Sequence, residues 1–372
     1  MSEAGWQTCK NILCVRPDNM GDVLMTSPAL RAIKESLPDV RLTLLASPSG
    51  AAIAPFIPEI DDVIMCRLPW DSRMQPDSGE VLLGVIDTLR ERAFDGAVLF
   101  TNYSQSAFPG AFLCYLADIP RRLGYAKEYQ ARLLTDWVVD QEPYFIRPKH
   151  GVQRQLDLVA AVGLTTRDER LSLRVSDVAV KSVGAKLERV GVDVGKPFIV
   201  VHPGASDPKR QYPPDLYAQA IGIIVREMGY SVVITGVSSE AAVGDMVMKG
   251  SGQGVFSLVG QVDIGELAAL IALAKLLISN NTGPVHMAAA VQTAVVDLYA
   301  RTNPEHTPWQ VSSRVLYFDV PEHLRSRAPA LVYTTPKVVK PMPAPSDIVC
   351  AVRELLIGES LGCSIAEEVV SW

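Results

Sequence analysis

The chain repeats one local pattern, a short apolar run rich in β-branched residues followed by an amphipathic stretch. The first series includes NILCV (11–15), RLTLLAS (41–47) and GAVLF (96–100), and a second series begins at PFIVVHPG (197–204). Strands that alternate with helical patterns are typical of βα units, which place parallel strands in one sheet. The sequence therefore predicts an α/β fold of doubly wound parallel sheets.

The two series lie on either side of a polar stretch at 165–196 that shows no regular pattern. The length of 372 residues, about twice that of a usual domain, also favours two domains. We place the N-terminal domain at 1–172, the C-terminal domain at 173–344 and a final helix at 345–372. Two such domains leave a cleft between them, and parallel sheets bind ligands at the carboxyl ends of their strands.

Composition and charge exclude several classes of protein. Hydrophobic residues make up 48% and charged residues 20%, which is typical of a globular protein with a sizeable core. A net charge of −6 argues against a protein that binds nucleic acid through its phosphates, so no nucleic-acid partner is expected. The N-terminus lacks a signal-peptide pattern, and no apolar run approaches the roughly 20 residues that cross a bilayer. A cytoplasmic location is therefore expected.

The segment RPDNMGDVLMTSP (16–28) directly follows the first predicted strand. Gly21 permits a tight turn, and Asp22 then falls at the start of a helix. An acid in the first turn stabilises a helix dipole by roughly 0.3–1 kcal/mol, which is one interpretation of Asp22. The other is a carboxylate that points into the cleft and acts as a general base.

The segment VVHPGASDPKRQYP (200–213) follows the first strand of the second series. Its small residues would let backbone amides approach a phosphate. Lys209 and Arg210 follow, and either cation could neutralise a diphosphate, with the guanidinium offering two parallel hydrogen bonds. A solvated basic pair beside a turn is the alternative interpretation.

The segment ISNNTGPVHMAAA (278–290) joins a predicted buried strand to a predicted buried helix. Pro284 suits the first helical position, where its missing N–H has no cost. The amides of Thr282 and Gly283 would then form an anion site at the helix start. His286, in the first turn, either contacts the ligand or is a packed residue whose ring hydrogen-bonds to the backbone.

Taken together, these motifs resemble the bacterial heptosyltransferase family, which contains the ADP-heptose:lipopolysaccharide enzymes. The likeness covers roughly 10–345 and rests on MGDVLMTSPALRAIK, HPGAS…KRQYPPDLYAQA, ITGVSSE and LVGQVDIGELAALIALAKLLISNNTGPVHMAAAVQTAVVDLYARTNPEHTPW. It implies a GT-B fold, in which two Rossmann-like domains face a central cleft. The N-terminal domain would bind the acceptor, the C-terminal domain the nucleotide sugar, and the final helix would return to the N-terminal domain.

The resemblance also implies roles for single residues. Asp22 matches the proposed general base of an inverting sugar transfer that needs no bound metal or other cofactor. Arg210 stands where the family has its phosphate-binding lysine, with Lys209 beside it, and Glu240 matches the acid that holds the nucleotide ribose. The donor-binding positions that the resemblance carries over are Ser206, Lys209, Arg210, Glu240, Asn281, Thr282, Gly283 and His286.

Asn281 departs from the family motif D-T-G-x-x-H, which has aspartate at this position. A carboxylate accepts hydrogen bonds from two sugar hydroxyls, whereas an amide accepts with its oxygen and donates with its nitrogen. We therefore expect the donor sugar, or its orientation, to differ from the heptose of the type enzymes.

The predicted function is transfer of heptose or a similar sugar from a nucleotide diphosphate donor, expected to be ADP-linked, to a hydroxyl of a lipopolysaccharide core or another glycan. A soluble natural-product acceptor, a GT-B nucleotide-sugar epimerase and a non-catalytic relative that binds sugar nucleotides are the alternatives. A lipid-linked acceptor would bring the protein into peripheral contact with the cytoplasmic face of the inner membrane. The candidate residues for that acceptor face are Arg121, Arg122, Lys127, Arg132 and Trp137.

Overall fold

A computed structural model of the protein describes residues 3–70, 77–103, 105–127, 132–140, 149–301, 305–320 and 340–358. The chain divides into two compact units, Met1–Arg174 and Val175–Trp372. This division lies close to the boundary expected at 172/173. Part of the proline-rich connection (335–339) and the chain from 359 onward, which belongs to the expected final segment, lie outside the described residues.

The first unit contains a six-stranded parallel sheet in the order β3-β2-β1-β4-β5-β6. Its strands are β1 (Asn11–Arg16), β2 (Arg41–Ala46), β3 (Asp62–Met65), β4 (Gly96–Leu99), β5 (Arg121–Ala126) and β6 (Asp136–Val139). Its helices are α1 (Glu3–Trp6), α2 (Met20–Ser36), α3 (Pro48–Ile53), α4 (Gly79–Glu91), α5 (Phe108–Leu116) and α6 (Gly151–Ala160). The strand order reverses between β1 and β4. Loops diverge at such a switch point and leave space for a ligand at the carboxyl edge.

Helix α2 continues through Pro28 without a break. A proline inside a helix leaves the carbonyl four residues earlier without its N–H donor. That carbonyl belongs to Leu24, and the hydroxyl of Ser27 donates to it at 2.6 Å. The side chain thus replaces the missing backbone bond, and the helix that begins beside Asp22 remains intact.

The second unit contains a second six-stranded parallel sheet, in the order β12-β11-β10-β7-β8-β9. Its strands are β7 (Phe198–His202), β8 (Ser231–Ile234), β9 (Val255–Ser257), β10 (Leu276–Asn280), β11 (Ala294–Ala300) and β12 (Ser313–Phe318). Its helices are α7 (Asp177–Val190), α8 (Pro214–Met228), α9 (Ala241–Ser251), α10 (Ile264–Leu273), α11 (Gly283–Val291) and α12 (Pro345–Ile357). The switch point of this sheet lies between β7 and β10. The predicted class, α/β with two Rossmann-like doubly wound domains, is therefore confirmed.

The last described helix belongs to the second unit. Helix α12 packs on α8 and β12, and Ile348, Val349 and Val352 belong to the core of the second unit. The hydroxyl of Tyr212 donates to the Pro343 carbonyl at 2.6 Å and ties the segment before the helix to the same unit. The physical reason is burial of the apolar face of α12. The described part of the final segment thus belongs to the core of the second unit, and its expected packing on the N-terminal domain stays a prediction.

Two elements lie in stretches whose sequence shows no clear pattern. Helix α7 occupies much of the polar stretch 165–196, where the Ser176 hydroxyl caps its start and Gly191 ends it in the left-handed region. Strand β6 is an edge strand in which only Asp136 is buried. Both elements bury few of their apolar residues, and neither was predicted from the sequence.

Candidate active site

Asp22 lies in the first turn of α2 at the switch point of the first sheet and is buried. Its Oδ1 accepts hydrogen bonds from Arg16 Nη2 at 3.1 Å and from Asn102 Nδ2 at 3.2 Å. Arg16 ends β1, and Asn102 follows β4. The carboxylate is therefore paired with a buried cation, and its orientation is fixed from two strand ends.

Two more side chains extend this network. Asp18 pairs with Arg16 at 3.2 Å and accepts a hydrogen bond from Gln105 Nε2 at 2.6 Å. The Gln105 amide oxygen in turn accepts from the backbone N–H of Asn102 at 2.9 Å. Sequence reasoning identified Asp22 and missed these partners. Arg16 and Asp18 stand in the quoted motif, and their position after a buried strand was the available signal.

In the second unit, Asn280 ties the loop after β7 to the end of β10. Its Nδ2 donates to the carbonyls of Pro203 and Gly204 at 2.8 and 3.2 Å, and its Oδ1 accepts from the Tyr212 N–H at 2.9 Å. The side chain is fully buried. Sequence reasoning singled out Asn281 and missed Asn280, which holds the proposed phosphate loop in place.

Glu240 lies over the same loop. A Cβ atom at Gly204 would meet the Glu240 carboxylate at 2.1 Å, and one at Gly236 would meet it at 2.9 Å. The Val237 N–H donates to Glu240 Oε2 at 2.8 Å. Glycine at both positions therefore gives the carboxylate room beside the ends of β7 and β8, with its side chain 19% exposed.

His202 approaches Glu240, with 3.9 Å between Nε2 and Oε2. Burial lowers the pKa of His202 to about 4, so the imidazole is neutral near pH 7 and the contact is not an ion pair there. The ring nitrogen Nδ1 lies 3.0 Å from the Thr235 hydroxyl. The negative charge of Glu240 is thus not balanced by His202, which suits it to accept hydrogen bonds from ligand hydroxyls.

Lys209 and Arg210 lie in a short 3₁₀ turn, Pro208–Arg210, and differ in their partners. Lys209 Nζ pairs with Asp207 at 3.0 Å. The Nε atom of Arg210 is buried and has no hydrogen-bond partner among the described residues. Ser206, in the same loop, is exposed. The lysine charge is therefore compensated within the loop, whereas that of the arginine is available to an anion.

Helix α11 begins at Gly283, one residue before the predicted start, with Thr282 as its N-cap residue. The Thr282 hydroxyl donates to the Asn280 carbonyl at 3.1 Å. The backbone N–H groups of Thr282 and Gly283 make no hydrogen bond to other described residues. Together with the helix dipole, these two donors create a local preference for an anion.

The side chain of Asn281 makes no hydrogen bond within the described part of the chain, although it is only 3% exposed. His286 is buried in α11, with its ring edge-to-face against His306 at 6.3 Å between centroids. The structure places all of the predicted donor-binding residues in the second unit, at or after the ends of β7, β8 and β10. Asp22 lies in the first unit.

The expected basic acceptor face is only partly present as a surface. Arg122 is buried, and its guanidinium donates to the carbonyls of Ile119, Leu133 and Arg132. Its charge therefore stabilises the loop before β6. Trp137 is 39% exposed.

No group of three or more His, Cys, Asp or Glu side chains could hold a metal ion within the described ranges. Among the helices that the structure describes, none is both long enough and apolar enough to cross a membrane.

The sequence profile of Glycosyltransferase family 9 (heptosyltransferase) matches residues 83–328. The match spans more than half of the chain, and the protein belongs to this family of glycosyltransferases. Lipopolysaccharide heptosyltransferase 2 of Salmonella typhimurium (strain LT2) is 26% identical to it over 315 residues, which is 80% of this chain and 84% of that relative.

Two solved structures agree in fold. The glycosyl transferase family 9 protein from Veillonella parvula DSM 2008 has a TM-score of 0.77 at 18% identity, covering 96% of this chain and 100% of that chain. The ADP-heptose lps heptosyltransferase II of E. coli has a TM-score of 0.69 at 21% identity, covering 94% and 99%. These similarities support the GT-B fold class inferred from the sequence.

Proposed function

We propose that the protein transfers heptose or a closely related sugar from a nucleotide diphosphate, preferentially ADP, to a hydroxyl of a lipopolysaccharide core or a similar glycan. The transfer inverts the anomeric centre, requires no metal ion and takes place in the cytoplasm, at the inner membrane surface when the acceptor is lipid-linked. The relatives are named for ADP-heptose and lipopolysaccharide, which supports this donor and this acceptor.

One observation carries the proposal: the carboxyl edge of the second sheet collects the groups that a nucleoside diphosphate requires. The amides of Thr282 and Gly283, which make no hydrogen bond to other described residues, suit phosphate oxygens, and Glu240 suits the ribose hydroxyls. Arg210 provides a cation without a carboxylate partner among the described residues. Amides and a guanidinium can balance a leaving diphosphate, as a divalent metal does in other transferases.

In the proposed mechanism, Asp22 takes the proton from the acceptor hydroxyl as that oxygen attacks the anomeric carbon. The bond from that carbon to the diphosphate breaks, and the nucleoside diphosphate leaves with the electron pair. Attack from the face opposite the leaving group inverts the configuration. A second catalytic carboxylate is unnecessary, because the diphosphate departs without protonation once its charge is balanced.

The test is a transfer assay with the full chain, lipopolysaccharide that lacks core heptose, and ADP-heptose, UDP-sugars or GDP-sugars as donors in the presence of EDTA. We expect ADP release coupled to a mass gain of the acceptor, with an inverted linkage by NMR. Release of nucleotide without glycan product, or recovery of an epimerised donor, would support the epimerase alternative instead. Activity that is lost in EDTA and restored by Mg²⁺ would contradict metal independence.

Replacing the two neighbouring cations separately should resolve which one serves the diphosphate. We expect Arg210→Ala to raise the donor KM by about 30-fold, since a charge-assisted hydrogen bond contributes roughly 1.5–3 kcal/mol. Lys209→Ala should change the donor KM less than threefold, because Asp207 already neutralises Lys209. Steady-state kinetics with varied donor provide the measurement. A larger effect at Lys209 would reverse the assignment.

Asn281 is the position where we expect donor selectivity to be decided. Asn281→Asp exchanges a donating amide nitrogen for an accepting oxygen and leaves the amides of Thr282 and Gly283 in place. The ratio of kcat/KM values for two competing donors should therefore change by about tenfold, while the Kd for free ADP stays within about twofold. Competition between ADP-heptose and ADP-hexose measures the ratio. Equal selectivity in both proteins would exclude this role.

A further inference from the structure

Asn102 contacts both members of the buried ion pair that contains Asp22. Its Nδ2 donates to Asp22 Oδ1 at 3.2 Å, and its Oδ1 accepts from Arg16 Nη2 at 2.7 Å. The same Arg16 nitrogen donates to Asp22 Oδ1 at 3.1 Å. Asn102, Arg16 and Asp22 thus form a closed triangle of hydrogen bonds. Asn102 and Arg16 both donate to the same carboxylate oxygen, Asp22 Oδ1.

The residues on both sides of Asn102 contact one arginine, Arg154. The carbonyl of Thr101 accepts from Arg154 Nε and from Gln155 Nε2, each at 3.1 Å. The ring of Tyr103 lies 4.2 Å from the guanidinium carbon of Arg154. Arg154 makes two hydrogen bonds to Asp140, at 2.9 and 3.0 Å, and is 2% exposed. This anchoring prevents the loop after β4 from shifting, so the amide of Asn102 stays aimed at Asp22.

A second connection closes the network on the other side. The Asn102 N–H donates to Gln105, Gln105 donates to Asp18, and Asp18 pairs with Arg16. The loops after β1 and β4 are therefore joined both through Asp22 and through Asp18. Two separate connections between these loops are more than the packing of a loop requires. Both involve Arg16, which binds Asp22, the group that the proposed reaction uses.

We propose that Asn102 is a positioning residue that holds the Asp22 carboxylate in the orientation needed to take the proton of the acceptor hydroxyl. The inference rests on the proposed function, because it assigns Asn102 a role through the base. A misplacement of about 1 Å at a reacting group can cost about 100-fold in rate, so the hydrogen bond matters for turnover rather than for binding of the donor.

The test compares two replacements of Asn102 with a control in the same loop. The aspartate in Asn102→Asp has the same shape as the asparagine and still accepts from Arg16. It replaces the Nδ2 donor to Asp22 by an oxygen, which cannot donate. We expect kcat to fall about 10- to 100-fold in Asn102→Asp and Asn102→Ala, with the donor KM within about twofold. Tyr103→Phe keeps the aromatic ring over Arg154 and removes the hydroxyl that accepts from the Lys149 N–H, so its kcat should stay within about twofold of the unchanged protein.

A double-mutant cycle separates positioning from loop packing. In an Asp22→Asn background, Asn102→Ala should reduce the residual rate by less than about twofold, because residues that act through one group are not additive. A full loss in that background, or an unchanged kcat in Asn102→Asp, would overturn the inference. Should Asn102→Ala not fold, Asn102→Asp supplies the same comparison. Full activity of Asp22→Asn itself would instead contradict the proposed base.

Discussion

Asp22→Asn is expected to lower kcat for sugar transfer by about 10³-fold and to leave the donor KM within about twofold, because general-base catalysis contributes roughly 10²- to 10⁴-fold. The amide has the same shape and still accepts from Arg16 and Asn102 through its oxygen, so the fold should persist. It cannot take a proton from the acceptor. The predicted donor-binding residues lie in the other unit, which is why the donor KM should not change. Initial rates with varied donor and acceptor measure both quantities.

Asp18→Asn is the matched control for this prediction. Asp18 pairs with the same arginine at 3.2 Å and is also buried, so its replacement perturbs the same charges. We expect it to retain at least about a tenth of the activity, since no proton transfer is assigned to it. A kcat for Asp22→Asn within tenfold of the unchanged protein would contradict the role of Asp22. Equal losses in the two variants would indicate that the buried charge network, and not proton transfer, is responsible.

Asn280→Ala is expected to lower the free energy of unfolding of the second unit by about 3 kcal/mol, because three buried backbone groups each lose a hydrogen bond. Those groups are the carbonyls of Pro203 and Gly204 and the N–H of Tyr212. The loop after β7 should loosen as a consequence, and donor affinity should fall. Thermal unfolding measures the stability, and hydrogen exchange of the Tyr212 amide reports directly on the lost acceptor.

The neighbouring asparagine provides the control. Asn281→Ala removes a side chain that has no hydrogen bond within the described residues, so its effect on stability should stay below about 1 kcal/mol. Its effect should instead be on donor selectivity. Identical melting temperatures for the two alanine variants would contradict the structural role of Asn280. Faster exchange of Tyr212 in Asn280→Ala alone would support it.

Much of the fold could be predicted from the sequence. The strands β1, β2, β4 and β7 are buried on both faces of a parallel sheet, so each is a continuous apolar run that can be recognised in the sequence. Edge strand β6 and the polar helix α7 could not, because each buries little apolar surface. The core that α12 completes could not be predicted from its sequence either. An amphipathic helix shows that it has an apolar face but not which core that face completes, and Ile348 and Val352 complete the core of the second unit.

The sequence by itself determined the family and the fold class. It also identified the strand ends that are followed by polar residues. It placed Asp22 at a helix start, and it placed Thr282 and Gly283 at another. Only the tertiary structure decided the partners of these residues. Asn102 reaches Asp22 across 80 positions of chain, and Asn280 reaches Pro203 across 77. The sequence signals that place a residue at a helix start act over about one helical turn. Hydrogen bonds between loops at a sheet edge depend instead on strand order, which brings β1 beside β4 and β7 beside β10.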